Sequence, residues 1–281
     1  MIDVYLYIAF GVGVAAGQLT RFRSPWIDRA ILVDIVALVF FLGVVLASLA
    51  ATRLLIAIPL ALGLVGLMLA VTIGLTFVLP RRPPVPGTGK RPRPLGVLIV
   101  LALIVGYAVG RLVTLPGETA ITVTLSILLG LVGFSLRFSW NALRTAPTPL
   151  VAAIAGALVA APIFSLATGF SFRATLATTL GFGFYSLAGP LVTTGIGPLA
   201  GLVAFLTNFF RENLTMVTSP WLGPRIRAEG LTAMGGATAM DTTLYFVTAY
   251  GDADAGSMAL ASGLALTVIA SLAVPLVLAV M

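Results

Sequence analysis

From Leu54 to Pro80 the chain carries no charged side chain. Roughly 20 apolar residues in helical form cross about 30 Å of hydrocarbon. Within that hydrocarbon only helices and closed barrels satisfy every backbone polar group. Comparable runs are placed at 3–20, 30–50, 95–115, 119–137 and 150–168. Composition points the same way: 59% of residues are hydrophobic and 9% charged, with mean hydropathy +1.13, against about 25% charged in soluble domains. The expected fold class is an all-α polytopic membrane protein. Met1–Thr20 reads as a first span, because Arg21, Arg23 and Arg29 follow it rather than precede it.

Basic residues orient the spans. Loops after spans one, three and five hold Arg21, Arg23, Arg29, Arg81, Arg82, Lys90, Arg91, Arg93, Arg137 and Arg144, whereas the opposite ends hold only Arg53, Arg111 and Arg173. The positive-inside rule then puts the N-terminus outside and the Pro-rich basic loop 81–94 in the cytoplasm. The formal charge of +7 is explained by this asymmetry, so no nucleic-acid partner is expected. The chain has no cysteine and no histidine. Disulfides, thiol nucleophiles, histidine relays and His- or Cys-ligated metals are excluded, and no cofactor is expected beyond a coupling ion.

The region after Arg173 is irregular. ATLATTLGFGFYSLAGPLVTTGIGPLAG and LTAMGGATAMDTTLYFVTAYGDADAG are rich in helix breakers. Each reads as a re-entrant or broken-helix segment, and the positive-inside count favours re-entry. That gives about eight transmembrane helices plus two interrupted segments, with both termini outside. Internal matches suggest inverted repeats. Gly13 and Gly17 match Gly106 and Gly110, and Gly43 matches Gly133. At an offset of 55, Gly181 matches Gly236 and Ser186 matches Asp241. The expected organisation is a first three-span repeat (1–80), the basic loop (81–94), an inverted second repeat (95–168), and two inverted interrupted-segment-plus-helix units (169–281).

Ionisable residues at membrane depth cost roughly 3 kcal/mol or more on insertion scales and usually face a cavity or a partner. Glu212 lies about twelve residues into an apolar segment and is the leading candidate to bind a cation or carry a proton. The plain alternative is a permanent ion pair, but adjacent Arg211 points about 100° away on a helix. Asp241 follows Gly235 and Gly236, among Thr238, Thr242 and Thr243; it reads as a cation-site carboxylate or as an N-cap. Asn208, one turn before Glu212, could orient it. Tyr185, Ser186, Gly181, Gly183 and Gly189 form the matching break. Asp34 is the one acid inside the first half, with interfacial snorkelling as its alternative. Glu118, Glu229, Asp252 and Asp254 read as loop charges. No hydrolytic motif is present, although Asp34 and Asp241 leave an intramembrane aspartyl protease formally open. A small-cation/proton antiporter is the other alternative.

At these residues the chain resembles the lysine exporter family (LysO type). The words that carry the resemblance are GFGFYSLAGPLVTTGIGPLAGLVAF, NFFREN and GLTAMGGATAMDTTL, with weaker agreement in VFFLGVVLA and LLGLVGFSLRF. The resemblance implies export of L-lysine and close basic analogues across the cytoplasmic membrane, driven by exchange with protons, with sodium as the alternative coupling ion. It also implies kinship with inverted-repeat cation–proton antiporters, and a homodimer is compatible with it. The family's glutamate falls on Glu212 and its aspartate on Asp241, with Arg211 or half-helix N-termini meeting the substrate carboxylate. Family members can carry a further acid where this chain has Ala50; Asp34, earlier in that span, is the available replacement.

Overall fold

A computed structural model describes residues 2–20, 25–47, 51–79, 96–135, 146–251 and 254–280. The basic loop 81–94, Ala50, Arg21, Arg23, Arg137, Arg144 and Asp252 lie outside this set. Every expected span is a helix: α1 (Ile2–Thr20), α2 (Pro25–Ala47), α3 (Ala51–Val78), α4 (Gly96–Leu112), α5 (Gly117–Ser135) and α6 (Pro147–Thr168). Then follow α7 (Phe172–Thr179), α8 (Tyr185–Gly195), α9 (Pro198–Gly235), a 3-10 turn (Gly236–Met240), α10 (Leu244–Tyr250) and α11 (Ala255–Val280). Among the described residues, Leu54–Val78, Pro147–Thr168 and Ala255–Val280 are long and apolar enough to cross a membrane, and Leu101–Leu112 is a shorter apolar helix.

The chain divides into two compact units that do not follow the sequence repeats. One holds residues 1–50 and 92–138, the other 51–91 and 139–281. Each three-span stretch therefore gives its first two helices to one unit and its third to the other.

In the first unit α1 packs on α5, and α2 packs on α4 and α5. Glycine sets these approaches. A β-carbon at Gly13 would stand 2.2 Å from the Gly130 carbonyl oxygen, and one at Gly17 would stand 2.2 Å from that of Phe134. In the other pair, Gly106 faces the Phe40 carbonyl at 2.0 Å and Gly110 the Val44 carbonyl at 2.8 Å. Both pairs run parallel, because the contacts advance in the same direction along each helix. The two sets are also counterparts under the sequence matches: Gly13 with Gly106, Gly17 with Gly110, Phe40 with Gly130 and Val44 with Phe134. Such small-residue contacts let backbones close where lipid supplies no hydrophobic drive between helices.

In the second unit α3 lies against α6 and α9. Helix α9 is two arms meeting at Arg227, which has φ 61° and ψ −172°. Pro220 and Pro224 precede the bend and remove backbone donors from its last turns. The first arm, 198–226, is about 43 Å long at 1.5 Å per residue. The second arm, 228–235, leads into the 3-10 turn. Glu229 sits in this second arm and is buried, not on a loop as the sequence suggests, because the helix resumes directly after Arg227.

Each interrupted segment folds back on itself. Arg173, at the start of α7, donates to the Leu278 carbonyl. A β-carbon at Gly195, at the end of α8, would touch the same Leu278 at 3.2 Å. In the second segment, Gly251 after α10 lies against Ala228 before the break, at 2.8 Å for the same kind of contact.

Candidate functional site

The two breaks meet. In the first, Phe182 (φ 49°) and Gly183 (φ 99°) reverse the chain between α7 and α8. In the second, Gly236 takes φ 68°. The Ala237 amide donates to the Phe182 carbonyl across the junction at 2.8 Å. A β-carbon at Gly236 would stand 2.3 Å from that carbonyl and 2.9 Å from Arg211 Nη2. Only glycine has both the φ and the space required there.

One turn of α9 secures both breaks. Asn208 Oδ1 accepts from the Gly183 amide at 2.7 Å, and Nδ2 donates to the Thr178 carbonyl at 3.0 Å and to that of Ala204 at 2.9 Å. Three residues on, Arg211 Nε donates to the Met234 carbonyl and Nη2 to that of Ala233, both at 2.8 Å. Its Nη1 meets Met68 Sδ at 3.6 Å, and the guanidinium sits 5.9 Å from the centre of the Phe182 ring. Orphan carbonyls at the end of a helix attract a cation by both hydrogen bonding and dipole. Arg211 is fully buried. Expected from sequence to meet a substrate carboxylate, it is engaged by the C-terminal carbonyls of the half-helix 228–235.

Glu212 lies at the midpoint of the first arm of α9, about 21 Å from either end. It is 1% exposed, and its Oε1 has no hydrogen-bond partner. Thr242 stands between it and Asp241. The Thr242 hydroxyl is 3.2 Å from Asp241 Oδ1, and Thr242 lies near the Glu212 carboxylate. Tyr185 packs edge-on against Phe209, three residues before Glu212 on the same helix, at 6.2 Å. Asp241 is half-buried. Its Oδ1 accepts the Thr242 amide at 2.5 Å, but α10 starts after it, with Thr243 at the N-cap. Asp241 thus braces the break rather than capping α10. Thr238 also works inside the break: its hydroxyl donates to the Gly235 carbonyl, and its own carbonyl accepts from the Asp241 and Thr243 amides.

The structure therefore gathers Glu212, Asp241, Thr242 and Tyr185, with Asn208 and Arg211 behind them on the same helical turn. Gly181 packs on Asn208, and Gly189 lets α8 approach Phe205, while Gly235 leaves room for Thr243. The Ser186 side chain lies outside the described set. Asp34 belongs to the first unit, where it is buried with Oδ2 unpartnered. Sequence reasoning missed Asn213, beside Glu212, whose Oδ1 is buried without a partner. It also missed Phe205 and Phe209, although their spacing of seven and three residues before Glu212 was available as a signal.

A buried carboxylate pair with one oxygen unpartnered can hold a cationic group or a proton. Among the described residues no cluster of three or more His, Cys, Asp or Glu could hold a metal ion.

The sequence profile of the family described as "Lysine exporter LysO" matches residues 100–278. The Escherichia coli (strain K12) protein of that name is 34% identical over 192 residues, covering 63% of this chain and 60% of the bacterial protein. A Haemophilus influenzae relative, to which lysine export is assigned provisionally, is 33% identical over 89 residues, covering 32% of this chain and 45% of its own. The chain thus spans less than two thirds of either relative. No solved structure matches it.

Proposed function

The chain belongs to the lysine exporter LysO family, a family of membrane transporters and not of enzymes, and from that premise we propose that it is a secondary exporter of L-lysine and related basic amino acids. It works in the cytoplasmic membrane and exchanges its substrate for protons. Glu212 is the cation or proton carrier, and Asp241 shares the cationic group through Thr242. The observation that carries this reading is the Glu212 carboxylate, buried at mid-helix with Oε1 unpartnered. Protonating it weakens cation binding on one side of the membrane, which is the minimal logic of exchange.

Eight crossings with both termini outside follow if the two fold-back segments are re-entrant. The paired ends at Leu278 and at Ala228–Gly251 support that topology, as does the basic-residue asymmetry. The counterpart glycine contacts in the first unit support the inverted repeat.

The test is lysine uptake into inverted membrane vesicles under an imposed proton gradient. Wild type should accumulate lysine with movement of protons, and Glu212→Gln and Asp241→Asn should each lose it. Substrate-dependent proton movement persisting in Glu212→Gln would remove the carrier role. Sodium-dependent exchange without lysine dependence would select a small-cation antiporter instead.

A further inference from the structure

One wall of the carboxylate site is aromatic. The ring of Tyr185, the first residue of α8, meets Phe205 edge-on at 5.4 Å and 77° and Phe209 at 6.2 Å and 77°. The two phenylalanines stack at 6.1 Å and 8°. Phe205 precedes Glu212 by two helical turns, so both lie on one face of α9, about 10 Å apart along its axis. Phe209 is fully buried, whereas Phe205 and Tyr185 are half-buried. The partly exposed edge of the cluster is thus the Phe205–Tyr185 pair, with Phe209 packed behind it. Gly189 permits the arrangement, since a β-carbon there would stand 3.0 Å from that of Phe205.

Aromatic faces attract organic ammonium groups, and their hydrocarbon packs against methylenes. A small inorganic cation keeps its water shell and gains little from such a wall. The site therefore offers two different surfaces about one alkyl chain apart: carboxylates at one end and aromatic rings at the other.

We propose that Tyr185, Phe205 and Phe209 form a subsite for the alkyl chain and distal ammonium of the substrate, selecting alkylammonium ions over hydrated inorganic cations. This rests on the transport reading in using the same carboxylates, but its central claim is binding, which can be measured without transport.

The probe is a series of n-alkylammonium chlorides, from methyl- to hexylammonium, titrated against the purified full-length chain in detergent with thermal stabilisation as readout. In wild type the apparent affinity should rise with chain length, and Glu212→Gln should abolish the stabilisation. Phe205→Leu should flatten the chain-length dependence and Phe205→Tyr should keep it. Tyr185→Leu is the second variant, expected to flatten it as well. In vesicles, Phe205→Leu should raise the KM for lysine roughly threefold to thirtyfold. Affinity independent of chain length in wild type would overturn the proposal, as would unchanged behaviour in both leucine variants. If lysine is not carried but the chain-length dependence is present and lost in Phe205→Leu, the lysine reading fails and the subsite stands. If lysine is carried with the same KM in Phe205→Leu, the subsite fails and the exporter stands.

Discussion

Asn208 is the side chain whose removal gives the clearest quantitative outcome. It is neutral and fully buried, and it makes three hydrogen bonds. The bond to Ala204 lies within its own helix, where that carbonyl already accepts the ordinary ladder bond, so its loss matters little. The other two reach the first break. The Thr178 carbonyl keeps the Gly181 amide at 3.2 Å, so in Asn208→Leu the Gly183 amide is the group left buried without its partner. A buried polar group left unsatisfied costs about 1–3 kcal/mol, so the substitution should destabilise the fold by about that amount. Leucine keeps the branched shape and the same number of side-chain heavy atoms, so the substitution opens no cavity. The assay is thermal or denaturant-induced unfolding in detergent micelles, with Asn208→Asp as the companion. Aspartate keeps an acceptor for Gly183 but sets a carboxyl group against the Thr178 and Ala204 carbonyls at membrane depth, a cost of roughly 3 kcal/mol or more when ionised, so it should be no more stable than leucine. If Asn208→Leu unfolds within about 0.5 kcal/mol of wild type, the first break does not depend on α9 for its backbone bonds, and the reasoning fails.

Three further outcomes follow from the same contacts. Arg211→Lys should be less stable than wild type in the same unfolding assay, because a compact ammonium cannot reproduce the fork that serves Ala233 and Met234. Arg211→Met should lose both bonds and cost about 2–5 kcal/mol. Gly236→Ala should abolish the folded protein or its transport, given the 2.3 Å approach to Phe182, whereas Gly66→Ala, with nothing within 4 Å, should leave both unchanged. In the first unit, Gly106→Ala should loosen α2 from α4, read as a lowered melting temperature, because its β-carbon would stand 2.0 Å from the Phe40 carbonyl.

Much of this was legible in the residues, for reasons that differ by feature. The spans were legible because the bilayer enforces length and apolarity directly, so α1 to α6 and α11 fall close to their expected limits. Gly183 and Gly236 marked the breaks because they adopt conformations that few other residues take, and Gly181 and Gly235 because close packing there leaves no room for a side chain. Glu212 stood out because a charge in apolar sequence has no cheap explanation. The partners of Arg211 were not legible for a physical reason: they are backbone carbonyls at a helix end, and carbonyls carry no side-chain signature. The exchange of α3 and α6 into the second unit was invisible too, since every span looks alike to lipid-scale patterning. Asp241 looked like a cap because the sequence TTLYF allows α10 to begin one or two residues earlier than it does.

The shared turn of α9 has a consequence for how the chain is made. The Thr178 carbonyl meets Asn208 only 30 residues later, a delay of roughly two to six seconds at ordinary synthesis rates. Arg211 then waits a further 22 residues for Ala233, and Arg173 waits 105 for Leu278. Neither hairpin can be released to lipid by itself, because its polar tip would arrive before the groups that satisfy it. A chain truncated anywhere between the two breaks should therefore carry a hairpin tip whose polar groups lack their partners in α9 and beyond.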